Sequence, residues 1–138
     1  MPFVVDASLA AAWFLPDEQN EAADQLLLYL RASSGLAPSL FWFETRNLFL
    51  MAERRGRLKP GEALLSMAQL RGLPIEDAGS VGDHLVLEVA NRCGLSGYDA
   101  SYLALASDRK LPFGTCDRRL AQAALAEKVE LLGPLAAT

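Results

Sequence analysis

The sequence predicts an α/β fold, a three-layer α/β/α sandwich around a short parallel sheet of five strands. Short apolar segments alternate with longer stretches of helical periodicity along the whole chain. The short segments show no alternation of polar and apolar residues, which is typical of strands covered on both faces. With 138 residues, of which 51% are hydrophobic, the chain has the size and composition of a single globular domain over residues 1–138.

The first elements follow from apolar runs and their terminators. Phe3–Val5 is fully apolar, ends at Asp6 and predicts the first strand. The Ala-rich and Leu-rich segment that follows Ser8 favours a helix, which Pro16 ends because proline removes a helical hydrogen bond. From Asp17 onward, apolar residues recur at helical spacing and predict an amphipathic second helix, followed by a very short strand within 35–39.

The middle of the chain predicts two helices and an edge strand. Ser39 is placed to cap a third helix over 40–51, which is apolar on nearly every side. A fourth helix opens at Glu62 and ends at Gly72, with one apolar face formed by Ala63, Leu64, Met67 and Leu70. The weak strand over 73–76 belongs at a sheet edge, because its proline cannot donate a ladder hydrogen bond.

The last third of the chain repeats the same alternation. In order, it predicts a helix over 81–93 that ends at Gly94, a helix over 100–107, a strand over 111–116, a helix from Asp117 to Ala126 and a final strand over 129–132. Five strands and about seven helices result, in the alternating order that builds a parallel sheet.

Charge and composition exclude several classes of protein. A net charge of −4 provides no general basic field, so any contact with nucleic acid must come from a local patch. The two cysteines are too few for a disulfide framework. Because the sequence shows neither a basic leader nor an apolar run of membrane length, we expect a soluble cytoplasmic protein with no membrane contact.

Among the acidic residues, Asp6, Glu44, Asp99 and Asp117 have contexts that solvation alone does not explain. Asp6 and Asp117 each follow an apolar strand, and the first and penultimate strands of a short sheet can be neighbours. Asp6 could equally be a helix cap. Taken singly, Asp117 is better explained as a helix cap, and Asp99 as an anion in the first turn of its helix.

Glu44 lies in a helix with little polar surface, where an unpaired carboxylate is costly. It could instead extend to solvent or pair with Arg46. Asn47 lies one turn later on the same face and could point its amide at whatever Glu44 holds.

Convergence of the four carboxylates would predict a site for a divalent cation. Carboxylates in one crevice repel each other and raise one another's pKa, a conflict that cations relieve. A set of oxygen ligands without cysteine or histidine suits Mg²⁺ or Mn²⁺ far better than zinc. Ser8 and Thr115, each two residues from an acid, could orient the ligands.

Four segments follow one another along the chain: VVDAS at 4–8, ETRN at 44–47, YDASYLALA at 98–106 and TCDRRL at 115–120. Together they resemble the PIN-domain nucleases, and within them the VapC toxins of bacterial toxin-antitoxin pairs. Each segment is a weak signal alone, but their order and spacing are specific and span nearly the whole chain.

The resemblance implies a metal-dependent endoribonuclease toxin in which Asp6, Glu44, Asp99 and Asp117 hold Mg²⁺ or Mn²⁺. It implies support from Thr115, with Ser8 and Asn47 as weaker candidates. It also implies an RNA substrate, a homodimer and a VapB-like antitoxin that can insert a basic side chain into the acidic site.

Three arginines lie near the proposed site in sequence, and two other functions remain open for the same residues. Arg46, Arg118 and Arg119 lie near the proposed site in sequence and could bind RNA phosphates. One alternative is a catalytically silent PIN-like protein that acts by binding a partner, with the acids serving only as caps. The other is a metal-dependent DNA nuclease or phosphatase that uses the same carboxylates.

Overall fold

The computed structural model describes residues 1–136 and confirms the predicted class. Within these residues, seven α-helices surround a sheet of five parallel strands. The elements are β1 Phe3–Val5, α1 Ala7–Phe14, α2 Glu21–Ala32, β2 Gly35–Ala37, α3 Leu40–Arg54, α4 Glu62–Arg71, β3 Ile75–Asp77, α5 Asp83–Cys93, α6 Gly97–Arg109, β4 Phe113–Gly114, α7 Arg118–Ala126 and β5 Leu131–Leu132.

The strand order explains how distant parts of the sequence meet. The order is β3-β2-β1-β4-β5, so β1 lies at the centre and β3 at an edge, as predicted. Val5 of β1 is in register with Gly114 of β4. Because the strands are parallel, the residues that follow them, Asp6 and Thr115, emerge side by side at the carboxyl end of the sheet.

The core is a cluster of buried apolar side chains around β1, whose three residues are fully buried. Phe41 and Phe49 of α3 and Phe113 of β4 are among its largest members. Position 114 has little room for a side chain, because a Cβ on Gly114 would lie 3.0 Å from side-chain atoms of both Leu9 and Leu26. No helix among residues 1–136 combines the length and apolarity needed to cross a membrane.

The start of α2 and the cap of α3 differ from the predictions. Pro16–Glu18 form a short 3-10 turn, and α2 begins only at Glu21, where the Asn20 side chain accepts a hydrogen bond from Ala23 N. A cap of this kind satisfies a free amide of the first turn, which Asp17 does not do. Ser39 precedes α3 but makes no capping bond; its hydroxyl donates instead to Asp77 at 2.7 Å.

The predicted buried face of α4 was wrong at one position. Leu64 is 79% exposed, whereas Met67 and Leu70 are buried. The buried face of the helix contains Ser66 in place of Leu64, and the helix packs against α3.

Candidate active site

Asp6 joins the central strand to the first helix and is buried, with 2% of its surface exposed. Its Oδ1 accepts hydrogen bonds from Leu9 N at 3.0 Å and from the Ser8 hydroxyl at 2.7 Å. Its Oδ2 accepts a hydrogen bond from the Thr115 hydroxyl at 2.5 Å. The carboxylate therefore caps α1 and is also oriented by two hydroxyl groups.

The hydroxyl groups around Asp6 also fix the turn after β4. Ser8 Oγ accepts a hydrogen bond from Cys116 N at 2.9 Å, and Thr115 Oγ1 accepts one from Asp117 N at 3.0 Å. The Asp117 carboxylate in turn caps α7 by accepting from the amides of Arg119 and Leu120. The same polar network thus positions both aspartates at the carboxyl end of the sheet.

Burial makes the Asp6 carboxylate hard to ionise. Loss of solvent raises its pKa to about 6, against the opposing effect of the hydrogen bonds from Thr115, Ser8 and Leu9. The negative charge of Asp117 raises that pKa further. A buried carboxylate with a like-charged neighbour is a group that a cation would stabilise.

Glu44 lies on α3 and is half-buried. Its Oε1 accepts a hydrogen bond from the Tyr102 hydroxyl of α6. Burial raises the pKa of Glu44, the hydrogen bond from Tyr102 lowers it, and the charge of Asp99 raises it. No ion pair between Glu44 and Arg46 exists among the described residues; the Arg46 guanidinium lies 5.2 Å from the centre of the Phe43 ring.

Asp99 lies in the first turn of α6, and its amide donates to the Ser96 hydroxyl that caps this helix. Burial raises the pKa of Asp99, the charge of Asp117 raises it further, and the charge of Arg119 lowers it. Arg119 is exposed and donates to the Gly94 carbonyl. Arg118 and Asn47 are exposed as well.

Three pairs of the predicted carboxylates lie within electrostatic range of each other. Asp117 raises the pKa of both Asp6 and Asp99, and Asp99 raises that of Glu44. They do not form a closed cluster: in the part of the chain that the structure describes, no three His, Cys, Asp or Glu side chains are arranged as ligands of one ion.

The donor set nevertheless fits a hard cation. All four groups supply oxygen ligands, and none of the four takes part in an ion pair seen within residues 1–136. Mg²⁺ and Mn²⁺ favour such ligands and keep several waters in their coordination shells, so they do not require a closed cage of side chains.

Tyr102 is the site residue that sequence reasoning missed. It lies three residues after Asp99 on α6, and its hydroxyl is directed at Glu44. The sequence did contain a sign of this role: Tyr102 precedes a run of leucine and alanine that predicts burial, and a buried tyrosine hydroxyl usually has a hydrogen-bond partner.

We expect Thr115→Val to destabilise the protein by about 1–3 kcal/mol, because it removes a buried donor to Asp6 and the acceptor for Asp117 N. Urea unfolding measures the change. The same substitution at Thr45, which is equally buried but bonds only within α3, provides the matched control and should cost less. An equal loss of stability in the two variants would mean that the hydrogen bonds around Asp6 stabilise the fold no more than those within α3.

This chain is similar to a protein family, to a curated protein and to solved structures. The PIN domain family matches residues 3–126. Ribonuclease VapC3 of Pyrobaculum aerophilum is 31% identical over 126 residues, which cover 88% of this chain and 94% of that protein. The crystal structure of PAE2754 from the same organism is similar at a TM-score of 0.71 and 25% identity, over 89% of this chain and 79% of that one.

A toxin-antitoxin complex from Klebsiella pneumoniae shares the fold. The alignment with a chain of that complex has a TM-score of 0.57 at 17% identity and covers 83% of this chain and 86% of that one.

Proposed function

This chain belongs to the PIN domain family, and from that premise we propose that it is a Mg²⁺-dependent or Mn²⁺-dependent endoribonuclease toxin, folded as one domain over residues 1–138. The relative named Ribonuclease VapC3 supports RNA as the substrate. The observation that supports the metal dependence is that Asp6 and Asp117 follow neighbouring parallel strands. Asp117 is close enough to raise the pKa of both Asp6 and Asp99, and Asp99 is close enough to raise that of Glu44.

In the proposed mechanism, Asp6, Glu44, Asp99 and Asp117 would hold the ion. A divalent ion bound there would supply an activated water and offset negative charge on the scissile phosphodiester. The hydroxyls of Ser8 and Thr115 donate to the Asp6 carboxylate and orient it. In this mechanism the nucleophile is water, and the phosphodiester is hydrolysed without a covalent intermediate on the protein.

Arginines near the site are proposed to bind the RNA backbone. Arg118 and Arg119 begin α7 directly after Asp117, and Arg46 lies two residues after Glu44. All three are exposed, so they could contact phosphates on either side of the acidic centre. Asn47, also exposed and one turn after Glu44, is a weaker candidate for a role at the same site.

We further propose that the protein acts in the cytoplasm, as a homodimer inhibited by a VapB-like antitoxin. Exposed apolar side chains on the adjoining helices α3 and α4 support a protein partner; they are Phe43, Leu50, Leu64 and Leu65. The acidic centre would also attract a basic side chain of such a partner.

The test is RNA cleavage by purified, antitoxin-free protein in Mg²⁺, Mn²⁺ or EDTA. We expect cleavage only with metal, and none by Asp99→Asn purified in the same way, which excludes a contaminating nuclease. Parallel reactions with DNA and a phosphomonoester separate the alternative substrates. Absence of metal-dependent cleavage of any RNA would overturn the proposal and favour a catalytically silent binding protein.

A further inference from the structure

Tyr102 is almost fully buried, with 2% of its surface exposed, yet its hydroxyl reaches the half-buried carboxylate of Glu44. It lies three residues after Asp99, so the two side chains are neighbours on one face of α6. A tyrosine at this position therefore links one carboxylate of the site to the helix that carries another.

The packing of the helices does not by itself hold Glu44 in place. α3 packs principally against α1 and α4, whereas α6 packs principally against α5, α7 and β1. The hydrogen bond from Tyr102 to Glu44 thus joins two helices whose main packing partners differ.

Electrostatic repulsion acts against this placement of Glu44. Asp99 lies one turn before Tyr102 on α6, so the contact of Tyr102 with Glu44 brings two carboxylates of like charge toward each other. A glutamate side chain has enough rotamers to turn toward solvent and relieve that repulsion. The Tyr102 hydroxyl, donated by a rigid buried ring, opposes such a turn.

The hydrogen bond also leaves part of the carboxylate accessible to a ligand. Oε1 accepts from Tyr102, and none of the hydrogen bonds among residues 1–136 reaches Oε2. Asp6 is held in a comparable way, by the hydroxyl of Thr115, which directly follows β4. Each of these two carboxylates is therefore oriented by a hydroxyl group from a different part of the chain.

We propose that Tyr102 is a positioning residue for the metal site, whose hydroxyl holds the Glu44 carboxylate beside Asp99 with Oε2 free to bind a divalent ion. This inference rests on the proposed metal-dependent function. It concerns the affinity for the ion, because Tyr102 would act through Glu44 and would not touch the RNA.

The test is Mn²⁺ binding by calorimetry in the absence of RNA. Tyr102→Phe keeps the ring in the core and removes only the hydroxyl. We expect its affinity for Mn²⁺ to fall about tenfold or more, as is usual when a partner of a metal ligand is removed. Tyr29→Phe removes a hydroxyl that bonds to the Met1 carbonyl, and this matched control should bind Mn²⁺ as the wild type does.

A double-mutant cycle identifies the route of the effect. In a Glu44→Gln background, Tyr102→Phe should cause no further loss of affinity, since the group it positions is already altered. Raising the Mn²⁺ concentration should restore RNA cleavage to Tyr102→Phe, a rescue that general damage to the fold would not allow. Circular dichroism verifies that each variant is folded, and Glu44→Gln alone should reproduce the loss of affinity.

The outcomes separate this inference from the proposed function. If the wild type binds Mn²⁺ and Tyr102→Phe binds it equally well, the positioning role is wrong and the metal-dependent function stands. An equal loss in both backgrounds would also overturn the role, because Tyr102 would then act independently of Glu44. A wild type that takes up no Mn²⁺ would overturn both.

Discussion

Asp6→Asn is expected to abolish RNA cleavage, reducing it to the level measured in EDTA, while the protein remains folded. The substitution removes the charge of the most buried carboxylate in the site and preserves its shape. Without that charge, the stabilisation of the protein by Mn²⁺ should also disappear. For the wild type this stabilisation amounts to about 2.7 kcal/mol when Mn²⁺ exceeds its Kd a hundredfold, and thermal unfolding measures it.

An exposed acidic residue on the same helix as Asp99 provides the control. Asp108→Asn, near the other end of α6, should leave both cleavage and the response to Mn²⁺ unchanged. Persistence of cleavage in Asp6→Asn, with an intact response to Mn²⁺, would show that Asp6 is only a helix cap.

In EDTA, the stability advantage of Asp6→Asn over the wild type is expected to grow as the pH rises. Raising the pKa of the buried Asp6 carboxyl from 3.8 to about 6 corresponds to about 3 kcal/mol. The folded wild type binds more protons than the unfolded chain between these values, so its stability falls as the pH rises through 6. We therefore expect the difference to be small near pH 4 and to reach about 3 kcal/mol near pH 7.

Asp77→Asn tests the sign of this effect. The Ser39 hydroxyl and the Gly79 amide lower the pKa of Asp77, so that carboxylate stabilises the fold above its ordinary pKa and loses this contribution in acid. Asp77→Asn should therefore be less stable than the wild type at neutral pH, and the difference should shrink as the pH falls. Urea unfolding at several pH values measures both variants; a pH-independent difference for Asp6→Asn would contradict the burial of an ionisable Asp6.

Much of the fold could be predicted because local patterns and tertiary packing agree. β1 is a short apolar segment with no polar face, and the structure buries all of it. The edge position of β3 followed from a proline that cannot donate to a neighbour. Predictions were wrong where hydrogen bonds decide between local alternatives, as at Ser39, whose hydroxyl binds Asp77 of β3 rather than the amides of α3.

Part of the candidate site could also be predicted from the sequence, and part could not. The sequence allowed β1 and β4 to be predicted as possible neighbours, with Asp6 and Asp117 following them, and the two strands do pair. The contact of Asp6 with Thr115 was not predicted, because Thr115 was assigned to the strand that in the structure ends at Gly114. The contact between Glu44 and Tyr102 joins positions 58 residues apart on helices with different packing partners, and no local periodicity encodes it. Whether the Tyr102 hydroxyl meets Glu44 depends on how α3 and α6 are placed in the tertiary structure.

The most direct test of the proposed metal site is a crystal structure of the protein grown with Mn²⁺, using the anomalous signal of manganese to locate the ion. We expect a peak bonded to carboxylate oxygens of at least two of Asp6, Glu44, Asp99 and Asp117, and no peak there in Asp6→Asn. Manganese bound only elsewhere on the surface, or no bound manganese at millimolar concentration, would show that these carboxylates do not form a metal site.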